Sequence, residues 1–489
     1  MVFVISTLIS PSRIKQSLFN PSNDVNQVLQ NIFESSRQSA IALYLKNPYQ
    51  TLRIMHKQRL QIDCALRTIF PKEIGACLIA IGGYGRGELY PYSDLDILIL
   101  LDKRDDQKEA QIQKFMHTLW NSSYKIGHSV RSIEESIEDA KEDSHLLTAI
   151  IEARLICGDA KLFSRFTQKI FQSRPVPHQK FFEDKCEEQK QKDQKYTVTL
   201  EPNIKKNSGN LRYIHVLMWL LAYFLNRYSL EDIIKLGIVT EEEYQEIEDA
   251  HNAFRIIRYG LHALAKRKED RLLSCHQKEL AELLGFHSDN HNSIIQVFMQ
   301  DYYQQTQKVI LLNKIVLTAI QEKLLFTQEE SIKIDYDNVF YRKQHLLGIY
   351  TKPFYENQTN VLKAFEVLSQ HQNELTAFSA DSLRLLRQSI ASQEISTWAH
   401  SSEIKKLFLG VFKQEALVLN QLQNMLFLGF LDKYVPHFVT INGLMQFDLY
   451  HIHSVDKHTL MLIQNLQDIR QGEFDKDTLF YQKMYQEID

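Results

Sequence analysis

Residues 76–101 read ACLIAIGGYGRGELYPYSDLDILILL, and the order of parts in this stretch decides the fold. Ala76 to Ile81 is an apolar run of strand length, Gly82 and Gly83 break it, a polar turn follows, and Ser93 to Leu101 resumes as a second apolar strand. Side chains alternate along a strand, so Asp94 and Asp96 share one face while Leu95 and Ile97 point the other way. Paired carboxylates repel unless a cation lies between them, and Mg²⁺ is held by one or two carboxylates together with substrate phosphates. Glycines at 82 and 83 let the backbone approach a polyphosphate closely. Ser93 stands beside the pair, and Arg86 is placed to clamp phosphate oxygens. Half of this pattern alone fits a hairpin with a solvated acidic edge. The glycine pair and the Asp-x-Asp strand together point to metal-assisted chemistry on a nucleoside triphosphate, with Asp94 and Asp96 as metal ligands.

Composition leaves that chemistry local. Across 489 residues, 57 Lys plus Arg stand against 60 Asp plus Glu, a formal charge of −3, so no global field favours nucleic acid or an anionic membrane. The length calls for more than one core. Cys64, Cys77, Cys157, Cys186 and Cys275 form no C-x-x-C pair, which argues against a zinc site and a disulfide framework and suits a reducing cytoplasm. The N-terminus lacks the features of a signal peptide. The apolar run Val216 to Leu225 is shorter than the ~20 residues a bilayer requires and reads as a buried helix.

Around the central stretch, residues 23–70 read as helical, Asp105 to Trp120 as an amphipathic helix and Lys125 to Arg131 as a strand. Ser132 to Asp143 and Leu146 to Cys157 read as two further helices, the second capped by Gly158. Arg131 either reaches the phosphates or serves packing. Glu152 and Glu201 are candidates for a third metal carboxylate. In residues 197–214, TVTLEPNIKKNSGNLRYI, Asn203 and Lys205 lie in a loop before a helix, suited to nucleotide contacts. Residues 241–325 read as helical throughout, with Lys266 to Lys268 a solvated charge run. Phe326 to Thr359 marks a boundary before more helices.

GGYGRGELYPYSDLDILIL resembles the polymerase-β-type nucleotidyltransferases, and in particular the PII uridylyltransferase / uridylyl-removing enzymes of bacterial nitrogen signalling. KIGHSVRS, IIEARLICGD, LEPNIKKNSGNLRYI, AFRIIRYGLHALAKRKEDRL and VFMQDYYQQTQKV are similar to successive parts of that family. The resemblance implies an α+β fold: an N-terminal helical segment (1–70), a nucleotidyltransferase domain (71–200), a helical substrate or nucleotide domain (201–325) and a helical region (326–489). It implies Mg²⁺-dependent transfer of UMP from UTP to a PII-type signalling protein in the cytoplasm, without nucleic acid or membrane. Adenylyl transfer on the same scaffold, or a catalytically weak PII-binding module, are the alternatives. The second follows from Asn121, Asn210 and Tyr213, where the chain departs from the family's pattern and two acidic positions are lost. QFDLYHIHSVDKHTLMLI resembles the start of the family's HD hydrolase domain, with His451, His453 and His458 as a histidine cluster. No His-Asp dipeptide follows His458, so the expectation is that this chain alone does not remove UMP; the resemblance assigns glutamine sensing to small C-terminal domains of the family, so no direct response to glutamine is expected either.

Overall fold

Five consecutive buried residues, Ala76–Ala80, form β1, and the computed structural model pairs it antiparallel with β2, Leu95–Leu101, in the register Ala76↔Leu101 to Ala80↔Ile97. The model describes residues 10–20, 24–71, 74–103, 106–195, 200–288, 293–327, 333–411, 418–435, 437–441, 443–444 and 455–471. On its other edge β2 pairs in parallel with β3, Ile126–Arg131. Beyond β1 lies β4, Arg154–Gly158, antiparallel to it, so the sheet order is β3-β2-β1-β4.

The period of two along each strand divides the core. Leu78, Ala80, Ile97 and Ile99 join Phe33, Ile62, Leu66, Ile112 and Phe115, contributed by the helices Val25–Lys46, Thr51–Ile69 and Asp106–Trp120. Cys77, Ile79, Leu98 and Leu100 face the opposite way. They join a core that runs through Leu162 and Phe166 to Leu220 in the helix Leu211–Phe224, Ile315 in Ile294–Ile320 and on to Leu386 and Phe430. With apolar surface covered on both sides, the sheet becomes a fixed platform and its strand ends are left to carry chemistry.

Three expectations change. The apolar run after Leu146 does not stay helical: the helix is Ser144–Ile151, and Arg154–Gly158 leaves it to pair with β1. A short apolar run fits either state, and here the open edge of β1 selects the strand. Gly158 is consequently no helix cap; at φ +104° it lies where any side chain would overlap the Ala76 carbonyl. Asp94 precedes β2 instead of lying within it. Finally, the region after residue 326 is not all helix. It holds a second sheet, β5 (Lys333–Asp335), β6 (Phe340–Lys343), β7 (Leu346–Ile349) and β8 (Ala377–Phe378), in that order. Gln344, at φ +55°, turns the β6–β7 hairpin without the glycine or asparagine that would have announced it. His451 and His453 lie outside the described residues. His458 is exposed on the helix Val455–Gln471.

Candidate active site

At the point where β1 ends, the Ile81 amide donates to the Asp96 carbonyl at 3.0 Å, tying the glycine turn to the carboxylate strand. Gly82 takes φ +58°, a left-handed conformation that glycine adopts without strain, and opens the single helical turn Gly82–Arg86. Across the sheet Asp96 is paired with Gly127 of β3. A methyl group at 127 would overlap Asp96 Oδ1, so this glycine leaves the carboxylate its room. Gly82, Gly83, Ser93, Asp94 and Asp96 form one wall of a cleft of about 250 Å³; Lys205, Arg212, Arg258 and Lys268 face them.

The charges in this cleft are arranged by burial. Desolvation, reinforced by the neighbouring Asp94, raises the Asp96 carboxyl above its ordinary value. A cation beside the pair relieves that repulsion, and one is already present: Lys268 Nζ lies 2.6 Å from Asp94 Oδ2. On the opposite wall, burial together with the Arg258 and Arg212 charges pulls the Lys205 ammonium down to about 7. Arg212, also lowered by burial and by Arg86, has its buried Nε without a hydrogen-bond partner, and its guanidinium stacks 4.8 Å from the Trp219 ring. Arg258 is held by Asp270 at 2.7 Å and lies over the Tyr90 ring. Carboxylates thus face a set of cations with too few counter-ions of their own, an arrangement suited to a metal–polyphosphate.

Arg86 lines the floor of this cleft, but its guanidinium is spent on protein carboxylates. It pairs with Glu152 and, at 3.2 Å, with Glu88. Glu152 also accepts from the Trp219 indole, so Arg86 is no free phosphate clamp and Glu152 no free metal ligand. Glu88, His215 and His251 place one ligand atom each within 4.8 Å of one another. Arg255 donates to His251 Nδ1 at 2.7 Å, which leaves the proton on Nε2 to be given to Glu88 Oε1 at 2.9 Å. Although burial pushes the Glu88 carboxyl up, Arg86 and the two histidines hold it well below the usual range. Burial and Arg86 keep His215 neutral. Glu88 is thus a buried hub, its charge balanced by Arg86 and its Oε1 hydrogen-bonded by His251.

The other sequence candidates separate. Arg131 lies five residues along β3 from Ile126, opposite Leu100, and bonds Asp139 at 2.9 Å, away from the cleft. Asn203 turns its side chain onto the Lys205 and Lys206 amides and so shapes the loop that presents Lys205. Glu201 is engaged by Arg271. Lys268, read as solvated, belongs to the cleft. Arg258 was read on a basic helix face able to contact the nucleotide, whereas Arg212 and Glu88 were missed, although Arg212 stands in the GNLRYI stretch and Glu88 two residues after Arg86. The three departures lie elsewhere: Asn121 bonds the His117 carbonyl, Asn210 accepts from Tyr302, and Tyr213 donates to Asp193.

A glycine turn after β1 and a carboxylate pair at the start of β2, lining one cleft with basic side chains, are the features of a nucleotidyltransferase fold. Residues 63–156 match the family described as Nucleotidyltransferase domain, whose members generally use divalent metal ions. Residues 180–317 match GlnD PII-uridylyltransferase and residues 340–434 match the Uridylyltransferase GlnD third domain. The chain belongs to the GlnD uridylyltransferase family. It is 36% identical over 401 residues to a bifunctional uridylyltransferase/uridylyl-removing enzyme of Hydrogenovibrio crunogenus, an alignment covering 80% of this chain and 44% of the relative. Proteins of the same description from Methylococcus capsulatus (34%, covering 88% and 50%) and Bordetella parapertussis (33%, covering 91% and 52%) are also similar. The chain spans about half the length of these relatives. Among the described residues no helix is long and apolar enough to cross a membrane.

Proposed function

We propose that this chain transfers UMP from UTP to a tyrosine hydroxyl of a PII-type signalling protein. The observation that carries the reading is the pair Asp94 and Asp96 facing Lys205, Arg212 and Lys268 across one cleft. In the reaction the tyrosine oxygen attacks the α-phosphorus and the bond to the β-phosphate oxygen breaks. The electron pair leaves with pyrophosphate, and the tyrosine proton passes to solvent. Asp94 and Asp96 would hold Mg²⁺, which supplies Lewis-acid stabilisation of the charge developing on the phosphates. The chain's own part is placement. The glycine turn brings backbone close to the phosphates, Arg212 offers a planar donor fork, and Lys205 adds charge when protonated. UTP as donor and PII as acceptor rest on the family and its named relatives. Asn121, Asn210 and Tyr213 all lie outside the cleft lining, which removes the motive for reading the chain as a binding module. Incubating the protein with Mg²⁺, PII and each labelled nucleoside triphosphate tests the assignment: label from UTP alone should appear on PII, and label from ATP alone would mean adenylyl transfer.

A further inference from the structure

The helix Glu241–Ala265 ends at Lys266, in a left-handed conformation at φ +53°, and hands the chain to a loop that is fastened on both sides. Asp270 bonds Arg258 at 2.7 Å and its carbonyl accepts from the Ile204 amide at 2.8 Å; the Leu272 amide bonds the Pro202 carbonyl at 2.8 Å. From this anchored loop the Lys268 side chain alone reaches Asp94, with its Nζ 2.6 Å from Oδ2. It is 47% exposed and Asp94 26% exposed, so the four-carbon stem has room to swing. Lys205, in the same lining, carries a like charge that interacts unfavourably with the Lys268 ammonium.

We propose that Lys268 is an exchangeable counter-ion: it neutralises Asp94 until a divalent ion arrives, then moves to the phosphate oxygens of the nucleotide. The inference rests on the nucleotidyltransferase reading of the cleft. An ammonium on a carboxylate oxygen and a divalent cation on the same carboxylate repel each other, and a doubly charged ion attracts the neighbouring carboxylates more strongly than a single ammonium does. Once displaced, the ammonium has three donors to place, and the polyphosphate oxygens offer acceptors for them. Metal and nucleotide are therefore coupled through one side chain. Drawing Lys268 to the phosphates frees Asp94 for the metal, and by reciprocity the metal strengthens nucleotide binding by the same factor.

The test measures binding, without turnover. Mn²⁺ affinity is determined by electron paramagnetic resonance with and without a non-hydrolysable UTP analogue, for the wild type, Lys268→Met, Lys268→Arg and Asp94→Asn, each checked by circular dichroism. Lys268→Met should bind Mn²⁺ alone roughly threefold or more tightly, bind the analogue about tenfold more weakly, and lose most of the coupling. Lys268→Arg should keep both the weak Mn²⁺ binding and the coupling. Unchanged or weaker binding of Mn²⁺ alone in Lys268→Met overturns the proposal, as does undiminished coupling. If Asp94→Asn leaves Mn²⁺ binding intact, the carboxylate site itself is wrong and the inference falls with it.

Discussion

Replacing Arg86 by alanine strands two buried carboxylates, Glu88 and Glu152, each 6% exposed, so its main effect should be on the fold. Breaking a buried pair costs about 3–5 kcal/mol, and urea denaturation of Arg86→Ala should show a loss of that order. A variant of wild-type stability with weakened UTP binding would restore Arg86 as a phosphate clamp. Lys205 carries the opposite signature. Its folded value near 7 lies below the ordinary lysine value, so the folded chain binds fewer protons between those limits. The penalty is complete below about pH 7 and fades as pH rises towards the unfolded value. Lys205→Met should therefore stabilise the unliganded protein more at pH 6.5 than at pH 9.5. An incoming triphosphate raises the lysine value, so nucleotide affinity should be level below pH 7 and fall by up to about tenfold per unit above it. Calorimetric affinities that do not change between pH 6.5 and 8.5 would take Lys205 out of the site. That Asp94, Asp96, Gly82, Gly83 and Ser93 come together in one cleft was legible from their spacing. Arg86 was read as a phosphate clamp from its place beside the glycines, and adjacency in sequence hides that the fold brings Glu88 and Glu152 to it.

The glycine turn and the strands on either side of it followed from two apolar runs of strand length broken by two glycines. Strand β4 did not, because ARLIC fits a helix end as readily as an edge strand until its partner is known. Gly127 shows what pairing adds: nothing in KIGHSVR marks its glycine, yet the parallel register sets it opposite Asp96. Gly127→Ala should push the Asp96 carboxylate off its position with little change in the fold, lowering kcat roughly 10²-fold, as misplacement by about 1 Å does. Near-normal kcat with an unaltered circular dichroism spectrum would show that Asp96 tolerates the shift.

At the scale of the molecule, a single apolar core joins the sheet residues Ile79 and Leu98 to Leu220, Ile315, Leu386 and Phe430. The polar patch from Phe326 to Thr359 reads as a boundary and the resemblance implies another near residue 200, whereas packing of this kind is formed by residues far apart in sequence and leaves no local signal. Scanning calorimetry should accordingly record one dominant cooperative transition. Two widely separated transitions, one of them belonging to the nucleotidyltransferase sheet, would contradict a shared core. The claim on which the rest depends is that Asp94 and Asp96 carry divalent-dependent nucleotidyl transfer. Its most direct test is incorporation of label from α-labelled UTP into PII in the presence of Mg²⁺, by the wild type, Asp94→Asn and Asp96→Asn at matched folded concentrations. The wild type should label PII, and each variant should lose the activity while keeping its thermal transition. Labelling of PII by both variants at the wild-type rate would contradict the account.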